Sequence, residues 1–268
     1  MQTEHLNDSK VSTGISAFWL KIIAITGMLL QHAALTLPGA FPLGLEIFLQ
    51  ISGGLTFPIL AFLLVEGFYA TSNINKYMTR LAIFGGISFI PHLFAFGSGL
   101  NIMFTLLVGL ALLTMRQRFG NSPKFWFAFA GLTLASFILD WGIIGPATIV
   151  MYDLIKNQKL RRIAVPIFCA LGVIAISALT SAMAAPFADL GVVIPEATIA
   201  TAFFPVGCLL VIPLLLMYKG ERGRPVRWFF YIFYPVHLAV LAVISIVMGK
   251  NILINLIRDI LYELGLFF

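Results

Sequence analysis

Long apolar stretches, separated by short polar ones, dominate the chain. A helix that crosses a bilayer needs about 20 mostly apolar residues, because the hydrocarbon core is about 30 Å thick and each residue adds about 1.5 Å. The pattern therefore predicts an all-α fold, a polytopic transmembrane helical bundle of about nine spans. The predicted spans are 18–37, 44–72, 78–96, 101–115, 123–140, 142–155, 162–183, 198–217 and 228–248.

The two ends of the chain differ from the stretches between them. Residues 1–17 are polar and predict a solvated tail. Residues 251–268 are apolar but carry three charged side chains, which predicts an amphipathic helix at the membrane surface or a tenth span. We therefore divide the chain into the tail, a single transmembrane domain over 18–248, and this C-terminal helix.

The composition agrees with a membrane protein. Hydrophobic residues make up 60% of the chain and charged residues 10%, whereas a soluble domain carries about 25% charged residues. The net charge of +6 comes from basic clusters in short loops, so it indicates membrane topology and not nucleic-acid binding. Cys169 and Cys208 stand alone in apolar stretches, which indicates small buried side chains, with neither a disulfide nor a metal site.

The basic residues predict the orientation of the bundle. Fifteen of the 17 fall on one side if the nine spans alternate, and loops rich in Lys and Arg stay in the cytoplasm. The N-terminus and the loops after spans two, four, six and eight are therefore expected in the cytoplasm. The four loop clusters are Lys76 and Arg80; Arg116, Arg118 and Lys124; Lys156, Lys159, Arg161 and Arg162; and Lys219, Arg222, Arg224 and Arg227.

Two histidines lie well inside predicted spans, away from the span ends, where ionisable groups are costly and often functional. His32 of span one and His237 of span nine have similar predicted depths, so they could converge and take a proton from an attacking amine or hydroxyl. The alternative is a helix–helix hydrogen bond. The Ser52-Gly53-Gly54 break and Pro58 predict room beside His32, or else close helix packing through small residues.

Other polar residues fall near the ends of the spans. His92, Asn101 and Asp140 lie towards the outer side, where a solvated rim is one interpretation and ligand binding another. Asn101 could also cap its helix. Near the inner ends of their spans, Glu66 and Asp153 are expected to pair with loop Lys or Arg residues.

Five segments together resemble the TraX family, membrane proteins linked to the acetylation of pilin N-termini. They run from Trp19 to Val243: WLKIIAITGMLLQH, FPILAFLLVEGFYATSN, NIMFTLLVGLALL, DWGIIGPATIVM and FYPVHLAVL. The resemblance implies a bacterial inner-membrane transferase that moves an acyl group from a coenzyme A thioester to an amine at the outer face.

Individual residues match the family as well. His32 and His237 match its two histidines, Asn101 matches the asparagine that opens its fourth span, and Glu66 and Tyr69 lie in the VEGFY run. Two positions depart from it. The family usually has an aspartate before the first histidine, where this chain has Gln31, and an arginine before the FP pair, where it has Gly54.

These observations lead to one leading hypothesis: an integral membrane acyltransferase that moves acetyl from acetyl-CoA to the N-terminal amine of a pilin-like protein. Another extracytoplasmic acceptor, such as a surface glycan or lipid, is the second possibility. A small-solute transporter and a non-catalytic component of pilus or conjugation machinery are the alternative functions. The predicted residues are His32 and His237 for catalysis; Gln31, Asn101, Glu66, Tyr69, Asp140 and His92 for substrate binding; and Arg161, Arg162, Arg224 and Arg227 for the donor.

Overall fold

The computed structural model describes residues 14–97, 99–184, 199–225 and 227–263, and over these ranges the fold is all-α. Two short 3₁₀ segments, Ser136–Ile138 and Ile199–Phe203, accompany the α-helices. The α-helices are α1 (Ala17–Thr36), α2 (Leu43–Gly54), α3 (Thr56–Ala70), α4 (Ile74–Phe96), α5 (Ile102–Phe119), α6 (Pro123–Ala135), α7 (Ile144–Leu154), α8 (Gln158–Ala184), α9 (Phe204–Leu216), α10 (Arg227–Val247) and α11 (Ile252–Glu263).

The predicted helical membrane bundle is confirmed. Within the described residues, seven helical stretches are long and apolar enough to cross a bilayer: α1, α2 with α3, α4, α5, α8, α9 with its preceding 3₁₀ segment, and α10. The two remaining predicted spans, 123–140 and 142–155, correspond to shorter apolar helices. The first is α6 with its 3₁₀ segment and the second is α7, which has 11 residues.

The structure describes the two ends of the chain only in part. The C-terminal segment forms the amphipathic helix α11, which packs against α4. Just before this helix, Asn251 Nδ2 donates a hydrogen bond to the Phe94 carbonyl at 2.8 Å. Most of the predicted tail lies outside the described residues, and so does most of the segment between predicted spans seven and eight.

At the predicted break in span two, a single residue, Leu55, separates α2 from α3. Its backbone is still helical, with φ −68° and ψ −29°. The glycines on its N-terminal side pack closely, because a Cβ on Gly54 would overlap the Phe204 carbonyl of α9 and a Cβ on Gly53 would overlap the Gln31 side chain. Gly53 and His32 also line one cavity. Close packing through small residues and room beside His32 are therefore both found at this break.

Helix α3 forms the centre of the bundle. Phe57, Ile59, Phe62 and Val65 on this helix are fully buried. They are covered by α1, α5, α7 and α9, which all contact α3. Because its sides are enclosed, α3 carries polar side chains only near its ends.

Contacts between loops identify the two ends of the bundle. At one, Ile15 forms an isolated bridge with Tyr218; at the other, Leu100 pairs with Leu139 and Lys250 Nζ donates to the Pro38 carbonyl at 2.7 Å. We call the first the basic end, made of loops 71–73, 120–122, 155–157 and 217–225. We call the second the opposite end, made of loops 37–42, 97–101, 139–143 and 248–251.

Candidate functional site

His32 of α1 and His237 of α10 contact each other directly. Nδ1 of His32 lies 2.9 Å from Nε2 of His237, and the two rings stack with centroids 5.1 Å apart. Both side chains are buried, with 7% and 5% of their surfaces exposed. The structure thus joins two histidines that are 205 positions apart in the sequence.

The hydrogen bonds around this pair fix where the protons lie. Nδ1 of His237 is 2.9 Å from the Phe233 carbonyl, and a carbonyl oxygen only accepts, so this nitrogen carries the hydrogen. In a neutral His237, Nε2 is then an acceptor, and Nδ1 of His32 must donate to it. Neutral His32 is left with a bare Nε2 on the other edge of its ring, which is the arrangement of a general base.

His32 lines a cavity of about 530 Å³ near the opposite end of the bundle. This volume lies within the range of about 300–1,000 Å³ typical of small-molecule sites. Three of the predicted substrate-binding residues, Gln31, His92 and Asp140, line the same cavity. His237 does not line it, and contacts the cavity through His32.

The cavity residues differ in their surroundings. Gln31 lies over Gly53, and its amide is 3.5 Å from the amide of Gln50 on α2. His92 is buried, and its ring and the His32 ring both contact Phe96 edge-on. The interpretation of His92 as part of a solvated rim is therefore wrong, because Phe96 and neighbouring helices cover it.

Asn101 is also not a rim residue, since its side chain is fully buried. Its Oδ1 accepts from the Met103 backbone N–H at 3.1 Å and caps α5, while its Nδ2 donates to the Gly85 carbonyl of α4 at 2.8 Å. It does not line the cavity. The helix-cap alternative describes its position, and the residue ties α4 to α5.

Two predicted binding residues, Glu66 and Tyr69, lie at the basic end, away from this cavity. Glu66 forms an ion pair with Arg161, and the Tyr69 hydroxyl donates to Asp153. Asp153 also pairs with Arg116. The expected pairing of Glu66 and Asp153 with basic residues is thus confirmed.

The arginines predicted to bind the donor have unequal freedom. Arg161 is buried and forms an ion pair with Glu66. Arg162 lies over the rings of Phe62 and Tyr218. Arg224 is exposed beside the Phe18 ring; the side chain of Arg227 lies outside the described residues.

Sequence reasoning missed the walls of the cavity. Trp141 lines it while stacking on Phe57 with ring centroids 4.2 Å apart, and Phe96 and Phe137 form further parts of the wall. Trp141 follows Asp140 directly in the sequence. This pair of a carboxylate and an aromatic ring was the signal that could have indicated Trp141 as a wall residue. The Phe233 carbonyl that orients His237 had no signal, because any residue supplies a carbonyl.

Comparisons with known proteins agree with this architecture. The sequence profile of the family described as TraX protein matches residues 16–245. A protein of Dichelobacter nodosus named "Probable fimbrial assembly protein FimC, serogroup H1" is 33% identical over 244 residues, which cover 84% of this chain and 94% of that relative. No solved structure matches the chain.

Proposed function

This chain belongs to the TraX family, and we propose that it is an integral membrane acyltransferase that modifies an extracytoplasmic acceptor during pilus or fimbrial assembly. The acyl group is acetyl and the donor is acetyl-CoA. The N-terminal amine of a pilin-like protein is the leading acceptor, and a surface glycan is the second. The basic end faces the cytoplasm of a bacterial inner membrane and the cavity faces outwards, in agreement with the distribution of basic residues.

The contact between His32 and His237 carries the proposal. The acceptor nitrogen attacks the thioester carbonyl, and Nε2 of His32 takes a proton from that nitrogen. The carbon–sulfur bond then breaks, and the leaving thiolate takes the proton back from His32 to become the thiol of coenzyme A. Amine and thioester become amide and thiol, so the transfer needs no further reactant. General-base assistance of this kind contributes about a hundred- to ten-thousand-fold.

His237 acts as a positioning residue. Its hydrogen bond to the Phe233 carbonyl sets its tautomer, and its bare Nε2 then sets the tautomer of His32. When His32 takes a proton, its Nδ1–H still donates to His237, so a second imidazole stabilises the positive charge. Without His237, the His32 ring loses both its orientation and the partner of Nδ1.

The positive charge of the basic end favours binding of the donor. Coenzyme A carries several phosphate charges, and Arg162, Arg224 and the exposed Lys156 lie on this side of the bundle. A second cavity, of about 240 Å³, opens there beside Tyr69, Arg116 and Lys156. These groups support entry of the donor from the cytoplasmic side.

A non-catalytic role in pilus or fimbrial assembly is the second candidate. Its support is Gln31, which stands where the family usually has an aspartate. The Gln31 amide approaches Gln50, at 3.5 Å, and lies over Gly53. Glutamine forms hydrogen bonds but supplies no negative charge to stabilise an imidazolium. The relative's name, which refers to fimbrial assembly, is compatible with both candidates.

The test is transfer of labelled acetyl by the protein in lipid nanodiscs, with acetyl-CoA and a peptide bearing a pilin-like N-terminus. We expect His32→Ala and His237→Ala each to slow transfer about a hundred- to ten-thousand-fold. The double variant should be little slower than the worse single one, because the two residues act as a unit. His237→Gln should retain more activity than His237→Leu, since a glutamine can accept from His32 and donate to the Phe233 carbonyl.

Thermal unfolding of every variant shows whether the fold is intact. Wild-type rates in both folded alanine variants would make the histidines structural. Absence of labelled product with the wild-type protein, together with unchanged pilin masses in cells that lack it, would favour the non-catalytic role.

A further inference from the structure

The cavity contains a carboxylate but, among its described residues, neither Lys nor Arg. Asp140 lines it, and none of the other described residues of its wall is Lys or Arg. Within the described residues, no ion pair or side-chain hydrogen bond is found for the Asp140 carboxylate. The Asp140 side chain is exposed where it lines the cavity, so a cation that enters the cavity can reach the carboxylate. Lys250, the basic residue in the described loops of the opposite end, donates to the Pro38 carbonyl.

The turn that carries Asp140 is fixed by backbone hydrogen bonds. The Asp140 N–H donates to the Leu100 carbonyl at 2.8 Å, and the Leu100 N–H donates to the Ile138 carbonyl at 3.1 Å. The turn then closes through Gly142, whose N–H donates to the Leu139 carbonyl at 2.8 Å and whose φ of +43° suits glycine. The carboxylate therefore projects from a rigid support, and a binding site requires such support.

Aromatic rings share the cavity wall with this carboxylate. Trp141 follows it in the chain, and Phe96 and Phe137 line the same space. The faces of aromatic rings attract ammonium groups, and Trp attracts them most strongly. A carboxylate among aromatic rings is chemically suited to a primary ammonium with an apolar neighbour.

We infer that Asp140, with Trp141 beside it, forms the subsite that binds the N-terminal ammonium of the acceptor, and thereby selects an amine over the hydroxyl of a sugar. The inference rests on the proposed function for the identity of the ligand as an acceptor. It assigns Asp140 a role in recognition, while proton abstraction belongs to His32. The ammonium loses its first proton to water at the mouth, and the neutral amine then reaches His32.

Binding can be tested without the donor, and therefore without transfer. The probes are an apolar hexapeptide amide that begins with Leu and has a free amino group, and the same peptide with an N-formyl group. We expect the wild-type protein in nanodiscs to bind the free peptide about ten- to a hundredfold more tightly, as for a charge-assisted hydrogen bond. Asp140→Asn should remove this preference, and Asp140→Glu should keep most of it. The matched control Glu46→Gln removes another acidic residue of the opposite end that does not line the cavity, and should leave the preference unchanged.

Three results would overturn the inference: equal binding of the two peptides by the wild-type protein, no binding of either, or an unchanged preference in Asp140→Asn. The first two need no variant, so a misfolded variant does not prevent a decision. The transfer assay separates this inference from the proposed function. Selective binding without transfer would leave the ammonium subsite standing and reject the acyltransferase, whereas transfer without amine preference would reject the subsite alone.

Discussion

At the scale of single residues, the chemistry of the site depends on one backbone oxygen. The Phe233 carbonyl accepts from His237, and this sets the donor and acceptor roles of both imidazoles along a line that ends at the bare Nε2 of His32. The fold can therefore prepare a base without any charged partner beside it. This gives a physical reason why the site can keep a proton acceptor although Gln31 stands where the family usually has an aspartate.

Asp140 leads to a prediction about pH. Its side chain is reachable from the cavity, but the surrounding protein removes most of the bulk water and raises the pKa of Asp140 from 3.8 to about 6. The carboxylate is therefore neutral well below pH 6 and charged above it, while an N-terminal amine stays protonated up to about pH 8. We expect the free hexapeptide to bind most tightly between these values, with weaker binding on both sides.

The other titratable groups around Asp140 act in the same direction at low pH. His32 and His92 share the cavity, and protonation of either would repel an ammonium. Titration of peptide affinity from pH 5 to 9 measures the profile, and Asp140→Asn should flatten its rise around pH 6. Affinity that is constant from pH 5 to 7 in the wild-type protein would contradict the prediction.

The sequence could identify some of these residues but not their partners. His32 and His237 were recognisable because ionisable groups are rare in apolar stretches. The burial of His92 and Asn101 was not predictable, since helix periodicity does not show which loop or helix will cover the end of a span. Pairing of Asp153 with a basic residue was expected from charge, but its specific partner Arg116 depends on how α5 and α7 pack.

At the scale of elements, α2 and α9 pack through glycines. A Cβ on Gly207 would overlap the Ile51 carbonyl, and one on Gly54 would overlap the Phe204 carbonyl. The two backbones are therefore in contact, as small residues allow in membrane bundles. An arginine at position 54, which the family usually has, does not fit this contact.

We expect Gly207→Ala to lower the free energy of unfolding by about 1–3 kcal/mol, the usual cost of overpacking. Gly86→Ala is the matched control, since a Cβ there meets no atom within 4 Å and alanine favours helix over glycine by up to about 1 kcal/mol. Thermal unfolding of both variants in the same detergent compares them. Equal melting temperatures for Gly207→Ala and Gly86→Ala would show that the two helices do not meet closely at this point.

The length of a helix was predictable from the sequence only where the helix ends with the apolar stretch. The stretches that became α1, α4, α5 and α10 could be recognised from hydropathy. The short lengths of α6 and α7 could not, because the turn between them is held by hydrogen bonds to Leu100, a residue distant in sequence. Hydropathy continues through this turn, so the sequence predicted two longer spans there.

At the scale of the whole molecule, the distribution of charge predicts orientation. Replacing Cys169 and Cys208, which are buried, gives a background for single-cysteine labelling in intact cells. A membrane-impermeant maleimide should modify Ala40→Cys, at an exposed position of the opposite end, and should modify Asn121→Cys at the basic end only after the membrane is broken. The reverse labelling pattern would place the cavity on the cytoplasmic side, and the acceptor would then have to be intracellular.

The shortness of α6 and α7 also affects the lipid around them. Together, α6 and its 3₁₀ segment measure about 25 Å and α7 about 16 Å, against a hydrocarbon core of about 30 Å. Phe127 and Leu134 on α6 are exposed, so lipid chains must adapt to the shorter helix by thinning the bilayer locally. Asp140 stands at the end of this short helix. In the proposed orientation this dip lies in the outer leaflet and brings the aqueous boundary down to the mouth of the cavity. An acceptor still anchored in the membrane could then reach it by a short lateral movement.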